Sequence, residues 1–262
     1  MFFRHRSMQA EFFDLPDRPP SESLAAYAEL DRLNRFCHFS RPFEDILPHW
    51  LGTERCRRLD ILDIGAGTGL LGRRLGAWAR RRGWDWRFTN LDSSPVTSLF
   101  QDSAPTVIDS ALTLPFQPDS FDLVIACQMT HHLTDTEVEQ HLREALRVSR
   151  DAVLVSDLHR NVALYVLLWL CTLLLRISHG VRADALLSVK RGFHLNELRN
   201  LADRGGVSGS QVWLYFGTRI ILQARKARPG MSVDHLRVAS ATSATSGMSQ
   251  TQVECCSSRS RT

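Results

Sequence analysis

Gly65, Gly67 and Gly69 stand two apart, directly after an apolar run that contains Asp63. Residues 59–64 (Leu-Asp-Ile-Leu-Asp-Ile) read as a strand, 65–69 as a turn, and the residues from Leu70 onward as a helix. Strand, glycine turn and helix N-terminus together suit a nucleotide-like ligand. Glycine lets the backbone come close, and the helix end offers unpaired N–H donors. The spacing excludes two such ligands. A dinucleotide fingerprint, G-x-G-x-x-G, would need glycine where Leu70 stands, and no Lys-Ser or Lys-Thr follows to make a phosphate-cradling loop. The second chemically capable group is the pair His131-His132, just past the apolar run 121–126. An imidazole at the carboxyl edge of a sheet can act as a general base. His159 is a weaker candidate of the same kind.

These residues are positioned by alternating strands and helices. The pattern predicts strands at 59–64, 86–91, 106–108, 121–126 and 152–156. Helices are predicted at 70–82 and 136–148, with a short one from Pro95, and Thr134 or Asp135 capping the helix at 136. A helix near 195–204 and two strands, 211–216 and 218–223, turning at Gly217, complete the series. Nearly continuous apolar strands alternating with helices call for a parallel sheet covered on both faces. Residues 1–50 read as a helical extension. Ser21 and Ser23 are candidate caps for a helix whose apolar face carries Leu24, Tyr27, Leu30, Leu33 and Phe36, and Pro19-Pro20 stops anything helical before it. The domain proper is expected at 51–225, and 226–262, rich in Ser, Thr, Arg and Ala, as a disordered tail.

The chain of 262 residues is long enough for one α/β domain, and its net charge of +4 is mild. The tight cluster Arg80-Arg81-Arg82 falls at a helix C-terminus, where cations favour the dipole, so no nucleic-acid partner is expected. The six cysteines, Cys37, Cys56, Cys127, Cys171, Cys255 and Cys256, form no C-x-x-C pair and no zinc-ligand set; free, mostly buried thiols in a reducing cytoplasm and no bound metal are expected. The N-terminal residues lack the apolar core of a secretory signal. Residues 162–175 (VALYVLLWLCTLLL) are almost uninterruptedly apolar, yet shorter than the roughly 20 residues needed to cross a bilayer. A helix apolar on all sides is expected to be buried. Here it would lie as a lid over a greasy pocket, with peripheral membrane contact as the second reading, and Arg176, His179 and Arg182 flank it.

An acidic residue before G-x-G-x-G resembles motif I of the class I S-adenosylmethionine-dependent methyltransferases, where the loop packs against the methionine part of the cofactor. Asp92, in Asn90-Leu91-Asp92-Ser93, matches the family's ribose-binding carboxylate. Asp109-Ser110-Ala111-Leu112-Thr113-Leu114-Pro115-Phe116 resembles the ubiquinone/menaquinone-type branch, with Ser110 standing where that branch has its adenine-contacting aspartate and Asp109 one place early. His131-His132 matches a His-His pair that this branch carries beside the transferred methyl group. The Pro-Pro-aromatic motif of adenine and glutamine methyltransferases is absent. Beyond the core, Glu11, Asp14 and Pro16, Asn34-Arg35, Asp157-Leu158 and residues 187–193 are similar to a group of bacterial methyltransferases encoded beside type III polyketide synthases.

The resemblance covers about residues 7–225. It implies a Rossmann-like fold with a seven-stranded, mostly parallel sheet, a terminal antiparallel hairpin and an insert at about 158–192. It further implies S-adenosyl-L-methionine as cofactor, bound by Asp63, Gly65, Ala66, Gly67, Thr68, Gly69, Asp92, Ser93, Ser110, Ala111 and Cys127. His131 or His132 would be the base for methyl transfer to an oxygen or carbon of a small apolar acceptor (phenolic, polyketide or quinone-like). Three competing readings are a same-fold protein without turnover, an RNA or protein methyltransferase, which lacks the concentrated basic face such a partner needs, and a nicotinamide dehydrogenase, which Leu70 disfavours.

Overall fold

The structure, a computed structural model, describes residues 3–14, 19–100, 104–207 and 209–226. Pro16, Cys255, Cys256 and the expected tail beyond Lys226 lie outside the described residues. Seven strands form one sheet: β1 (Arg58–Ile64), β2 (Asp85–Asp92), β3 (Thr106–Ile108), β4 (Phe121–Cys127), β5 (Ser149–Leu158), β6 (Gln211–Tyr215) and β7 (Arg219–Arg225). Their order is β3-β2-β1-β4-β5-β7-β6. β1 to β5 run parallel; β7 pairs antiparallel with β5, and β6 antiparallel with β7. This is the mostly parallel Rossmann-like sheet with a closing hairpin that the resemblance implies.

Side chains alternate across the sheet, so both faces need cover. Leu62, Val124 and Val155 point to one core, shared with α4 (Asp135–Val148) and α7 (Leu195–Arg204). Ile61, Leu123, Ile125 and Leu154 point to the other, shared with α2 (Arg41–Leu51) and α3 (Leu70–Arg80). Helix α4 starts as read, with Thr134 and Glu137 in a reciprocal capping box. Strand order reverses between β1, followed in chain order by β2, and β4, so the carboxyl ends of β1 and β4 flank a crevice between diverging connections.

Three expectations change. The N-terminal extension holds two helices, α1 (Pro20–Phe36) and α2. Pro20 opens α1, because a proline at the first helical position gives up no needed N–H. Pro19 takes the cap position, and Ser21 and Ser23 sit in the first turn. Strand β5 runs beyond 152–156 at both ends, its polar Ser149, Ser156 and Asp157 being fully buried. The insert forms two helices, α5 (Val162–Leu174) and α6 (His179–Arg191). Helix α5 is not buried all round: only Leu164, Cys171 and Thr172 are buried, while Val162, Val166, Leu167, Trp169, Leu170, Leu173 and Leu174 are exposed. One stripe rests on α1 and α6, and among the described residues nothing covers the other side. Of the thiols, Cys56 and Cys171 are buried, and Cys37 and Cys127 half-buried.

Candidate active site

The glycine loop is shaped by backbone that side chains resist. Gly65, Gly67 and Gly69 have φ of +68°, +54° and +71°, the left-handed region. Gly65 is also crowded, since a Cβ there would lie 2.2 Å from Met129 Cγ. The loop is fastened to β2: the Gly65 and Ala66 N–H groups donate to the Leu91 carbonyl, and the Gly67 N–H donates to Asp92 Oδ2 at 2.8 Å. Asp92 Oδ1 accepts from the Ser94 N–H at 2.9 Å. Each Asp92 oxygen keeps a lone pair for a hydroxyl. Burial holds its carboxyl above the usual range.

Loop, β2 end and β4 end enclose a cavity of about 310 Å³. Asp63, Gly65, Ala66, Gly67, Thr68, Asp92, Ser93, Ser110, Ala111, Cys127, His131 and His132 all line it, together with Tyr27 and Asp31 of α1. Gly69 does not; it caps α3 behind the wall. Ser110 reaches the cavity and its hydroxyl accepts from the Leu112 N–H at 3.1 Å, whereas Asp109 is off the wall, its carboxylate accepting the Ser110 N–H at 2.7 Å. His159 lies elsewhere, its Nδ1 3.0 Å from the Gly217 carbonyl.

Asp63 is 1% exposed, and its Oδ2 has no protein partner. Burial first, then the nearby Asp92 charge, pushes its carboxyl up to about 8. A buried carboxyl left unsatisfied on a cavity wall is a vacancy for a donor or a cation. S-adenosylmethionine fits this wall. Its ammonium would meet Asp63, its ribose hydroxyls Asp92, and its adenine the Ser110-Ala111 edge.

At the opposite side the His-His pair is held by carboxylates. His131 Nδ1 lies 2.6 Å from Asp157 Oδ1, and the His131 backbone N–H donates to Asp157 Oδ2 at 3.0 Å. Burial alone would raise the Asp157 carboxyl; the charge and hydrogen bond of His131 and two backbone N–H groups override it and hold the group ionised, below its ordinary value. An ionised carboxylate only accepts, so Nδ1 carries the hydrogen and, in neutral His131, Nε2 carries the lone pair. His132 repeats the arrangement with Asp14 Oδ1 at 2.6 Å. Arg191 of α6 fixes the pair from behind, donating to the His131 carbonyl at 3.1 Å and the His132 carbonyl at 2.7 Å, and it pairs with Asp14. Glu11 closes the cluster. It is 2% exposed, with Oε1 3.7 Å from His131 Nε2, and burial pushes its carboxyl up to about 7 against the pull of His132, Ser188 and Arg191.

Sequence spacing gave no metal-ligand set, and Glu11, Asp14 and Asp157 stood only as features of a resemblance. The fold brings residues from four distant segments, Glu11 and Asp14, the His-His pair, Asp157 and Arg191, to one point. Arg191 likewise stood only within the resemblance at 187–193, and Tyr27 and Asp31 had no signal beyond helix periodicity.

Residues 62–155 match the family model described as a methyltransferase domain. No curated protein matches the chain in sequence. Among solved structures, it is similar to a SAM-dependent methyltransferase from Aquifex aeolicus, at 14% identity over 80% of this chain and 100% of that one, with a TM-score of 0.50. It is similar also to the magnesium protoporphyrin IX methyltransferase of Synechocystis, a structure with bound S-adenosylhomocysteine, at 13% identity over 78% and 95%, TM-score 0.52. At such identities the structural likeness speaks for the fold; the family model speaks for the chemistry. The match over residues 62–155 supports an enzyme that takes its methyl group from S-adenosylmethionine, and the cavity beside the glycine loop is the place where that cofactor fits.

Proposed function

We propose that the protein methylates an oxygen or carbon of a small, largely apolar acceptor of phenolic, polyketide or quinone-like type. The observation that carries this is a second cavity of about 280 Å³ adjoining the first. The two share Leu30, Asn34, Gln128, Ala185 and Ser188 as walls, and the second is otherwise lined mainly by Leu33, Phe36, Leu158, Leu164, Leu167, Leu168 and Cys171. An apolar cavity with few polar groups suits an apolar body with one reacting end. In this reading residues 51–225 form the methyltransferase domain, and the insert at about 158–192 is its acceptor-binding part.

Bound S-adenosylmethionine supplies a methyl group already activated on a sulfonium. The chain's own residues align and protect the acceptor and remove its proton. His131 lines the donor cavity and its Nε2 is buried without a hydrogen-bond partner, so it is the group to take a proton from an acceptor hydroxyl. Asp157 holds the ring and stabilises the imidazolium that results. His132, with Asp14, is the alternative acceptor of that proton on the more open side. The apolar second cavity keeps water from the reacting atoms.

The exposed face of α5 gives such an acceptor a source. Seven large apolar side chains, Trp169 among them, stand in solvent over the second cavity's wall, and Phe216 at the β6–β7 turn is 82% exposed. A membrane surface is the partner that covers such a face. No helix among the described residues is long and apolar enough to cross a membrane.

The test is incubation with isotope-labelled S-adenosylmethionine and a panel of alkylated phenols, polyketide phenolics and quinone precursors. Label transferred to at least one apolar acceptor, and abolished by S-adenosylhomocysteine, is expected. Binding of S-adenosylhomocysteine without label transfer to any acceptor would favour a same-fold protein without turnover.

A further inference from the structure

Glu11, His131 and His132 each present one ligand atom, and these atoms lie within 4.8 Å of one another. Glu11 Oε1 is 3.7 Å from His131 Nε2, and Glu11 Oε2 is 3.7 Å from His132 Nε2. An ion with bonds of about 2.1 Å needs ligand atoms roughly 3.0–3.4 Å apart, so small side-chain movements close the set. Two atoms of the set, His131 Nε2 and Glu11 Oε1, are buried without any hydrogen-bond partner, on residues each 2% exposed. Buried polar atoms are rarely left so, and here both face the same point.

The surroundings match what a metal requires of its ligands' neighbours. Both histidines have Nδ1 taken up by a carboxylate, Asp157 and Asp14. That leaves both Nε2 lone pairs for an ion, the arrangement by which metal-binding histidines are oriented. Ser188 Oγ donates to Glu11 Oε2 at 2.8 Å and fixes the third ligand. Charge would be in balance with a dication that keeps Glu11 ionised: Glu11, Asp14 and Asp157 would then bring three negative charges, against which Arg191, 3.6 Å from Glu11 Oε1, sets one positive.

We propose that Glu11, His131 and His132 form a binding site for one divalent transition-metal ion, zinc being the probe of choice, with its open positions facing the acceptor side of the cavity. Two imidazoles and one carboxylate suit zinc or iron(II) over magnesium or calcium, which prefer oxygen. The binding itself stands apart from the methyl-transfer reading; the ion's role there rests on it. A ring nitrogen that holds an ion has no lone pair for a proton. With the ion bound, an open position would hold an acceptor oxygen and lower its pKa so that its proton leaves to solvent, and Asp157 and Asp14 would keep the same task of holding the Nδ1–H groups.

Untagged full-length protein is stripped with a chelator, titrated with zinc by calorimetry, and dialysed for metal analysis. Cobalt(II) is added in parallel for its visible spectrum. One zinc per chain is expected, with a cobalt spectrum of nitrogen and oxygen ligation. Glu11→Gln and His132→Ala, each checked for native circular dichroism, are expected to weaken zinc binding tenfold or more, and Asp157→Asn about tenfold. No stoichiometric zinc in the wild type, or affinity unchanged in both Glu11→Gln and His132→Ala, overturns the site. S-adenosylhomocysteine binding, measured on the same stripped protein, reports separately on the methyl-transfer reading.

Discussion

Replacing Gly65 by alanine separates the two reasons for glycine in the cofactor loop. The first is conformational: φ is +68°, and a left-handed backbone costs an L-residue about 1–2 kcal/mol. The second is contact: the new Cβ would meet Met129 Cγ at 2.2 Å and Met129 Cβ at 2.6 Å; side-chain rotation can move Cγ, but Cβ is fixed by the backbone and only a main-chain shift clears it. Overpacking of this kind costs about 1–3 kcal/mol. Restricting the unfolded chain returns about 0.4–1 kcal/mol. The net loss is roughly 1.5–4 kcal/mol, a fall in Tm of roughly 3–16 °C for a domain of this size. Gly217→Ala is the control, since its φ is also +68° but a Cβ there meets nothing within 4 Å, so the conformational cost remains without the contact. Thermal unfolding of both variants, with calorimetric titration by S-adenosylhomocysteine, measures the difference. Gly65→Ala is expected to be the less stable by at least 1 kcal/mol and to lose the ligand, because relief of the clash moves the Ala66 and Gly67 amides that line the cavity. Equal stability of the two variants and wild-type ligand binding by Gly65→Ala would refute the crowding.

Three more outcomes follow from single residues. His141 is fully buried, its pKa depressed by burial from 6.5 to about 4, so only the unfolded chain takes up its proton between those values. Its contribution is whole above pH 6.5 and is lost as pH falls toward 4, on the order of 3 kcal/mol; His141→Gln should flatten that arm of the wild-type stability-versus-pH curve, and identical arms by chemical denaturation would contradict it. Asp157→Asn sets an amide against donors at one of its two oxygen positions, the Leu158 and His131 backbone N–H groups lying 2.7 and 3.0 Å away. Loss of about 2–4 kcal/mol in stability and a turnover drop of about 10²–10⁴ are expected, whereas a change in KM alone would remove His131 from the chemistry. Leu170→Glu with Leu174→Glu, both on the exposed face of α5, should abolish co-sedimentation with anionic vesicles and leave unfolding unchanged; sedimentation equal to wild type would leave that face without a membrane role.

Local pattern carried the strand, loop and helix sites because each obeys a short-range rule. Residues 106–108 fall where the periodicity puts them, and the cap at Thr134 forms as its spacing to Glu137 requires. The ends of β5 were hidden because Ser149 and Asp157 are polar yet buried, their hydrogen bonds being made by the Ala152 carbonyl and by His131. Helix α5 misled for the opposite reason. Apolarity on every side states what a helix avoids, not whether a neighbour exists to satisfy it.

The sequence by itself determined the glycine loop, the acidic ends of β1 and β2 and the alternation that makes a parallel sheet, because these depend on residues a few positions apart. It thereby pointed to where a methyl donor fits. Only the tertiary structure decided what stands opposite. Glu11 and Asp14 precede the first helix, His131 and His132 follow β4, Asp157 ends β5 and Arg191 ends α6. No spacing links them, since the distances between them are set by how helices pack on a sheet. The second cavity, where the proposed acceptor would bind, is likewise a product of α1, α5 and α6 meeting.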